Sequence, residues 1–129
     1  MKFMLLIHQV DAPRPGREGD SNQAAVAAFE KLSDAEKNQV YGGYQAINQT
    51  SGVTPGVQLA PPELATTVRV QDGQTLTTDG PFAETKEALN GYLFFEAADP
   101  QAAVELASRI PAARMGGAVE IRPVIEQQW

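Results

Sequence analysis

Two short runs constrain this chain more than any other feature. Phe3–Ile7 of "MKFMLLIHQV" and the stretch "GYLFFEA" at 91–97 are apolar on both sides of an extended backbone. Side chains alternate across a strand, so Met4, Leu6 and His8 point one way and Phe3, Leu5 and Ile7 the other. A strand that is greasy on both faces must be covered on both. The rest of the chain therefore has to supply one cover, and something else the second.

Helices supply the first cover. From Ser21 onward, Ala25, Ala28, Phe29 and Leu32 recur at helical spacing. "SDAE" then sets Ser33 and Glu36 in capping-box register for a second helix, with Val40, Tyr44 and Ile47 on one face and Tyr41 beside them. Gly42-Gly43 inside it costs about 1 kcal/mol per glycine relative to Ala, which points to close approach by a neighbouring backbone or a ligand. Gly52 reads as the C-terminal stop. A third helix starts at the cap Asp99 with Pro100 in its first position, carries Ala103, Leu106, Ala107 and Ile110, and is stopped by Pro111.

The strands are punctuated just as clearly. "QVDAPRPGREGD" is an exposed loop, and "TPGVQLAPPE" is a proline-rich connection with a short extended piece around Val57–Leu59. "ATTVRVQDGQTLTTDG" reads as two strands joined by Asp72-Gly73, a pair suited to a two-residue type I′ turn. That turn sets Gln71 opposite Gln74, Arg69 opposite Leu76 and Thr66 opposite Asp79, so Asp79 shares a face with Thr66 and Thr77 and not with Arg69. Pro123 in the last strand, "AVEIRPVI", belongs at a sheet edge because it cannot donate to a ladder.

Strand, helices, hairpin strands, strand, helix, strand is the order of an α+β, ferredoxin-like sandwich, a mostly antiparallel sheet with helices on one face. With 129 residues the chain forms one domain, residues 1–129. The uncovered sheet face predicts a two-fold homodimer in which a second copy provides the missing cover.

Composition removes several classes of function. Sixteen acidic against ten basic residues give a net charge of −6, which disfavours nucleic acid and anionic lipid surfaces. No cysteine and one histidine leave no thiolate or multi-histidine metal site in a single chain. No cofactor is called for. The N-terminal apolar run is too short for a signal core or a membrane span, so the expectation is a cytoplasmic protein with no membrane partner.

Several segments, in order, resemble the DGPF-domain branch of the YCII-related proteins: "MKFMLLIH", "LAPPELATTVRV", "TTDGPFAETKEALNGY" and "ASRIPAARMGGAVEIRPV". The resemblance is densest at Asp79–Glu87 and weak across residues 11 to 32. It implies a dimeric α/β-barrel type of ferredoxin-like fold, with a small pocket between sheet and helices and an Asp and a His facing it. Asp79 matches the Asp of the signature, and Glu84 and Lys86 its charged positions. Where relatives often carry a His on the helix, this chain has Tyr41 of "YGGY", which leaves His8 as the histidine available.

The candidate catalytic pair is thus Asp79, a carboxylate able to act as general base, and His8, an imidazole of the type suited to proton transfer near neutrality. Tyr41 and Tyr44 are candidate pocket lining with polar tips, and Arg69, Glu84, Lys86 and Arg114 are candidate rim groups for a small polar molecule. Each has an ordinary structural counterpart: Asp79 as a turn residue, His8 as a strand residue, the tyrosines as core, the charges as solvated surface. Two functions follow. One is an enzyme using Asp79 in acid–base chemistry on a small polar molecule; the other is a non-catalytic ligand-binding or protein-interaction module of a regulatory system.

Overall fold

The structure is a computed structural model that describes residues 1–10, 30–60, 62–80 and 87–126. Most of the helix expected from Ser21 and of the loop before it falls outside these residues, as do Glu84 and Lys86 of the signature, while Gln9 and Val10, read as the start of that loop, belong to the first strand. Four strands form one sheet: β1 (Lys2–Val10), β2 (Val53–Gln58), β5 (Glu87–Glu96) and β6 (Ala118–Pro123). Their order is β2-β5-β1-β6, and every neighbouring pair is antiparallel. Pro123 sits on an edge strand, as its missing N–H requires.

Between β2 and β5 the chain leaves the sheet. β3 (Thr66–Gln71) and β4 (Gln74–Asp79) pair only with each other, as a separate two-stranded sheet. The register is the one the turn dictates, with Thr66 opposite Asp79, Arg69 opposite Leu76 and Gln71 opposite Gln74. Asp72 and Gly73 both hold positive φ, 51° and 76°, the backbone of a type I′ turn. Every residue of β4, and all of β3 except Thr67, is exposed.

The helices are α1 (Asp34–Asn48), α2 (Pro100–Ser108) and the short α3 (Pro111–Arg114). α1 opens on a complete capping box: the Glu36 N–H donates to Ser33 Oγ at 3.1 Å and the Ser33 N–H to Glu36 Oε1 at 3.3 Å. Asp99 caps α2 by accepting from the Ala102 N–H at 2.9 Å. Phe3, Leu5 and Ile7 of β1, Leu93 and Phe95 of β5, Ile47 of α1 and Ala103, Leu106 and Ala107 of α2 are buried in one cluster with Ile110 and Ala112. On the opposite sheet face Met4, Leu6, Tyr92 and Phe94 are half-buried, with the Lys2 ammonium 5.0 Å from the centre of the Phe94 ring. No helix among the described residues is long and apolar enough to cross a membrane.

Three local expectations change. α1 ends at Asn48 with Gln49 as its cap, and Gly52 serves the following turn instead of stopping the helix. β2 begins at Val53, four residues before the extended piece expected there, because a register shift between Thr54 and Val57 absorbs Pro55 and Gly56 on an edge strand. Gly43 is approached by the Pro111 ring, at 3.1 Å from where a Cβ would stand, while Gly42 faces open space. The close neighbour is thus a side chain of α3, not a backbone.

Candidate functional site

The polar groups of interest gather where β1 and β5 end their regular pairing. Ile7 pairs with Gly91 and His8 with Leu89, so Asn90 is an extra residue in β5, a β-bulge. Gln9, two residues beyond Ile7, lies on the helix-covered side of β1. There its Nε2 donates to the Tyr44 hydroxyl at 2.8 Å, and Asn90 Nδ2 donates to Gln9 Oε1. An amide–amide–phenol chain thus links β5, β1 and α1. All three side chains are part-buried, so each trades contact with water for contact with the others.

Burial raises the Tyr44 pKa above the usual phenol value, partly offset by the Gln9 donor and by the Ala112 backbone N–H at the start of α3. The phenol therefore stays neutral across physiological pH. Gly117 locks this corner from the other side. A Cβ there would collide with the His8 carbonyl oxygen and stand 2.9 Å from that of Ala112, and the Gly117 N–H donates to the Ala112 carbonyl at 2.9 Å.

His8 belongs to the other face. It pairs across the ladder with Ala118, and its Nε2 lies 3.3 Å from Glu120 Oε1. Asp79 ends β4 at the base of the hairpin and is exposed. No hydrogen bond or ion pair joins it to His8 among the described residues. Among the described residues the bonds of the bend are made by Gly80: its N–H donates to Ala65 O at 2.7 Å, and Thr67 Oγ1 donates to Gly80 O at 2.7 Å.

The remaining candidates scatter. Tyr41 is 60% exposed, which corrects its placement on the covering face. It is one residue, about 100° of helix, from Val40, whereas Tyr44 continues the inward stripe. Arg69 projects from the exposed hairpin on the face away from Asp79. Arg114 is exposed and its Nε donates to the Ser108 carbonyl at 3.0 Å, closing the turn between α2 and α3. Of the described groups singled out in the sequence, only Tyr44 joins the amide chain. Gln9, Asn90 and Glu120 were not foreseen. The usable signal for Asn90 was "LNGY", since Asn-Gly inside an apolar strand marks a bulge better than a pairing residue.

The model of the YCII-related domain matches residues 1–128. An uncharacterised protein of Rhizobium meliloti strain 1021 is 38% identical to this chain over 106 residues, covering 81% of this chain and 86% of that protein. The similarity thus takes in both the sheet and the corner where Gln9, Tyr44 and Asn90 meet, and the chain belongs to the YCII-related family.

Proposed function

We propose that this protein is a homodimeric, cytoplasmic member of the DGPF branch, with a ferredoxin-like fold of the dimeric α/β-barrel type. In this reading it binds a small polar molecule at the sheet end where β1, β5, α1 and α3 meet. The observation that carries it is the part-buried chain of Asn90, Gln9 and Tyr44, three neutral hydrogen-bonding groups held in place by one another where an ordinary core would be apolar. Chain connectivity supports a role for Asp79 at the same end. β2 leaves the sheet at Gln58, opposite Gly91, and β5 re-enters it at Glu87, opposite Val10, so the hairpin that bears Asp79 hangs from that end. Asp79 is then the general base, freed for that role because Gly80 makes the bonds of the bend.

Asp79→Asn tests this assignment. The variant is expected to keep its stability within about 0.5 kcal/mol, as surface substitutions do. It is also expected to lose the melting-temperature response to whichever small polar compounds stabilise the wild type in a screen. A lower melting temperature with ligand responses intact would make Asp79 a turn residue only.

One observation favours the second reading, a non-catalytic binding or interaction module of a regulatory system. His8 is engaged with Glu120 on the opposite sheet face, and no bond among the described residues joins it to Asp79. Prolonged incubation distinguishes the two: a compound that binds and is recovered unchanged supports the module, and conversion that Asp79→Asn abolishes supports the enzyme.

The dimer has its own test. Light scattering at micromolar concentration is expected to return twice the 13.8 kDa chain mass, with the half-buried Met4, Leu6, Tyr92 and Phe94 face in the interface. A mass of one chain would remove the dimer from the proposal.

A further inference from the structure

The hydrogen bonds of the amide chain run in one direction. Asn90 Nδ2 donates to Gln9 Oε1, and Gln9 Nε2 donates to the Tyr44 oxygen. The Ala112 N–H also bears on that oxygen. A phenol oxygen has one proton and two acceptor sites, so with two N–H groups directed at it the Tyr44 O–H must donate to a third group. Among the described residues nothing accepts that proton. A part-buried donor with no acceptor among the described residues is left to water or to a ligand, and is aimed by its neighbours before anything arrives.

We propose that the Tyr44 hydroxyl is the recognition donor of the binding site, and that it selects a ligand carrying a neutral carbonyl oxygen, as in an amide, over the corresponding carboxylate. This rests on the small-molecule reading above and adds the ligand's chemical class. Selection against a carboxylate follows from the surroundings. The groups about the phenol, Gln9, Asn90 and the Ala112 backbone, are all neutral, and Arg114 Nε is committed to the Ser108 carbonyl. No cationic side chain among the described residues hydrogen-bonds to Asn90, Gln9 or Tyr44, so an anion moved from water to this corner would lose hydration without an ion pair from them, whereas a neutral carbonyl needs only the one donor the site offers. Burial disfavours the phenolate of Tyr44 itself, and the Gln9 and Ala112 donors offset only part of that.

Two matched pairs of probes test this: benzamide with benzoate, and nicotinamide with nicotinate, titrated into isotope-labelled protein by NMR. The amides are expected to shift the side-chain amide resonances of Gln9 and Asn90 and to bind at least about tenfold more tightly than their acids. Tyr44→Phe keeps the ring and removes the donor, so it is expected to lower amide affinity about tenfold and to erase the preference. Should that variant not fold, Gln9→Leu frees an acceptor site on the phenol and is expected to weaken the same preference. Equal binding of acids and amides, or a preference that survives Tyr44→Phe, would overturn the recognition role and leave the small-molecule reading standing. No shift at Gln9 or Asn90 with any of the four compounds would overturn both.

Discussion

Phe3→Ala is expected to lower folding stability by about 3–5 kcal/mol, a large share of the roughly 5–15 kcal/mol that holds a domain of this size together. Phe3 is 1% exposed and lies on a central strand, flanked in register by Phe95 on β5 and Pro123 on β6, under the apolar face of α2. Truncation there removes the buried ring and leaves a cavity that flanking strands cannot close without breaking their ladder. Urea unfolding followed by circular dichroism should show a lower midpoint with an unchanged slope. Met4→Ala, one residue along on the half-buried face, is the internal control and should cost about 1 kcal/mol. Similar losses from the two would mean that the Met4 face is buried as deeply as the helix-covered one, as the proposed dimer contact would do.

Gly117→Ala is expected to cost about 2–3 kcal/mol, a large penalty for one added methyl group. Both atoms in its way are backbone carbonyl oxygens, those of His8 and Ala112, so no side chain can swing aside. Either β1 or α3 must move. Because Ala112 supports the Tyr44 oxygen and His8 precedes Gln9, the displacement reaches the amide chain directly. The variant should therefore show a melting temperature lower by roughly 10 °C. In the same NMR spectra, shifts should concentrate at Gln9, Tyr44 and Asn90. A stable variant with an unaltered spectrum would mean that the approach at Gly117 is looser than described. Gly42→Ala, which meets open space, is the contrasting case.

What could be read in advance divides along local and non-local lines. The Asp72-Gly73 turn, the Ser33–Glu36 box and the Asp99 cap rest on chemistry within four residues, and each appears with the partners its spacing requires. The hairpin register followed from the turn alone, down to Thr66 opposite Asp79. Whether that hairpin joins the main sheet depends on what lies beside it in space. Alternation cannot supply this, and β3 and β4 pair apart. Tyr41 and Tyr44 were hard to separate because both flank the apolar stripe of α1, and only the docking angle of the helix turns one inward. Gln9 and Asn90 escaped for a different reason. Strict alternation of β5 back from Tyr92 would have set Leu89 on the helix side and Asn90 opposite His8, and no count of periods reveals an interruption made by one residue.

That interruption makes the chain's length at this point matter as much as its chemistry. Removing Asn90 would let β1 and β5 pair without a break, and the sheet would gain regularity. Yet Leu89 would stay opposite His8 on the open face and Ala88 opposite Gln9, so the one change on the helix side would be the loss of the amide that donates to Gln9 Oε1. Such a shortened chain would fold into a more orderly sheet whose corner lacks the first member of its hydrogen-bonded chain. The irregular rung is therefore the means by which one strand contributes to an apolar core at one end and to a hydrogen-bonding corner at the other.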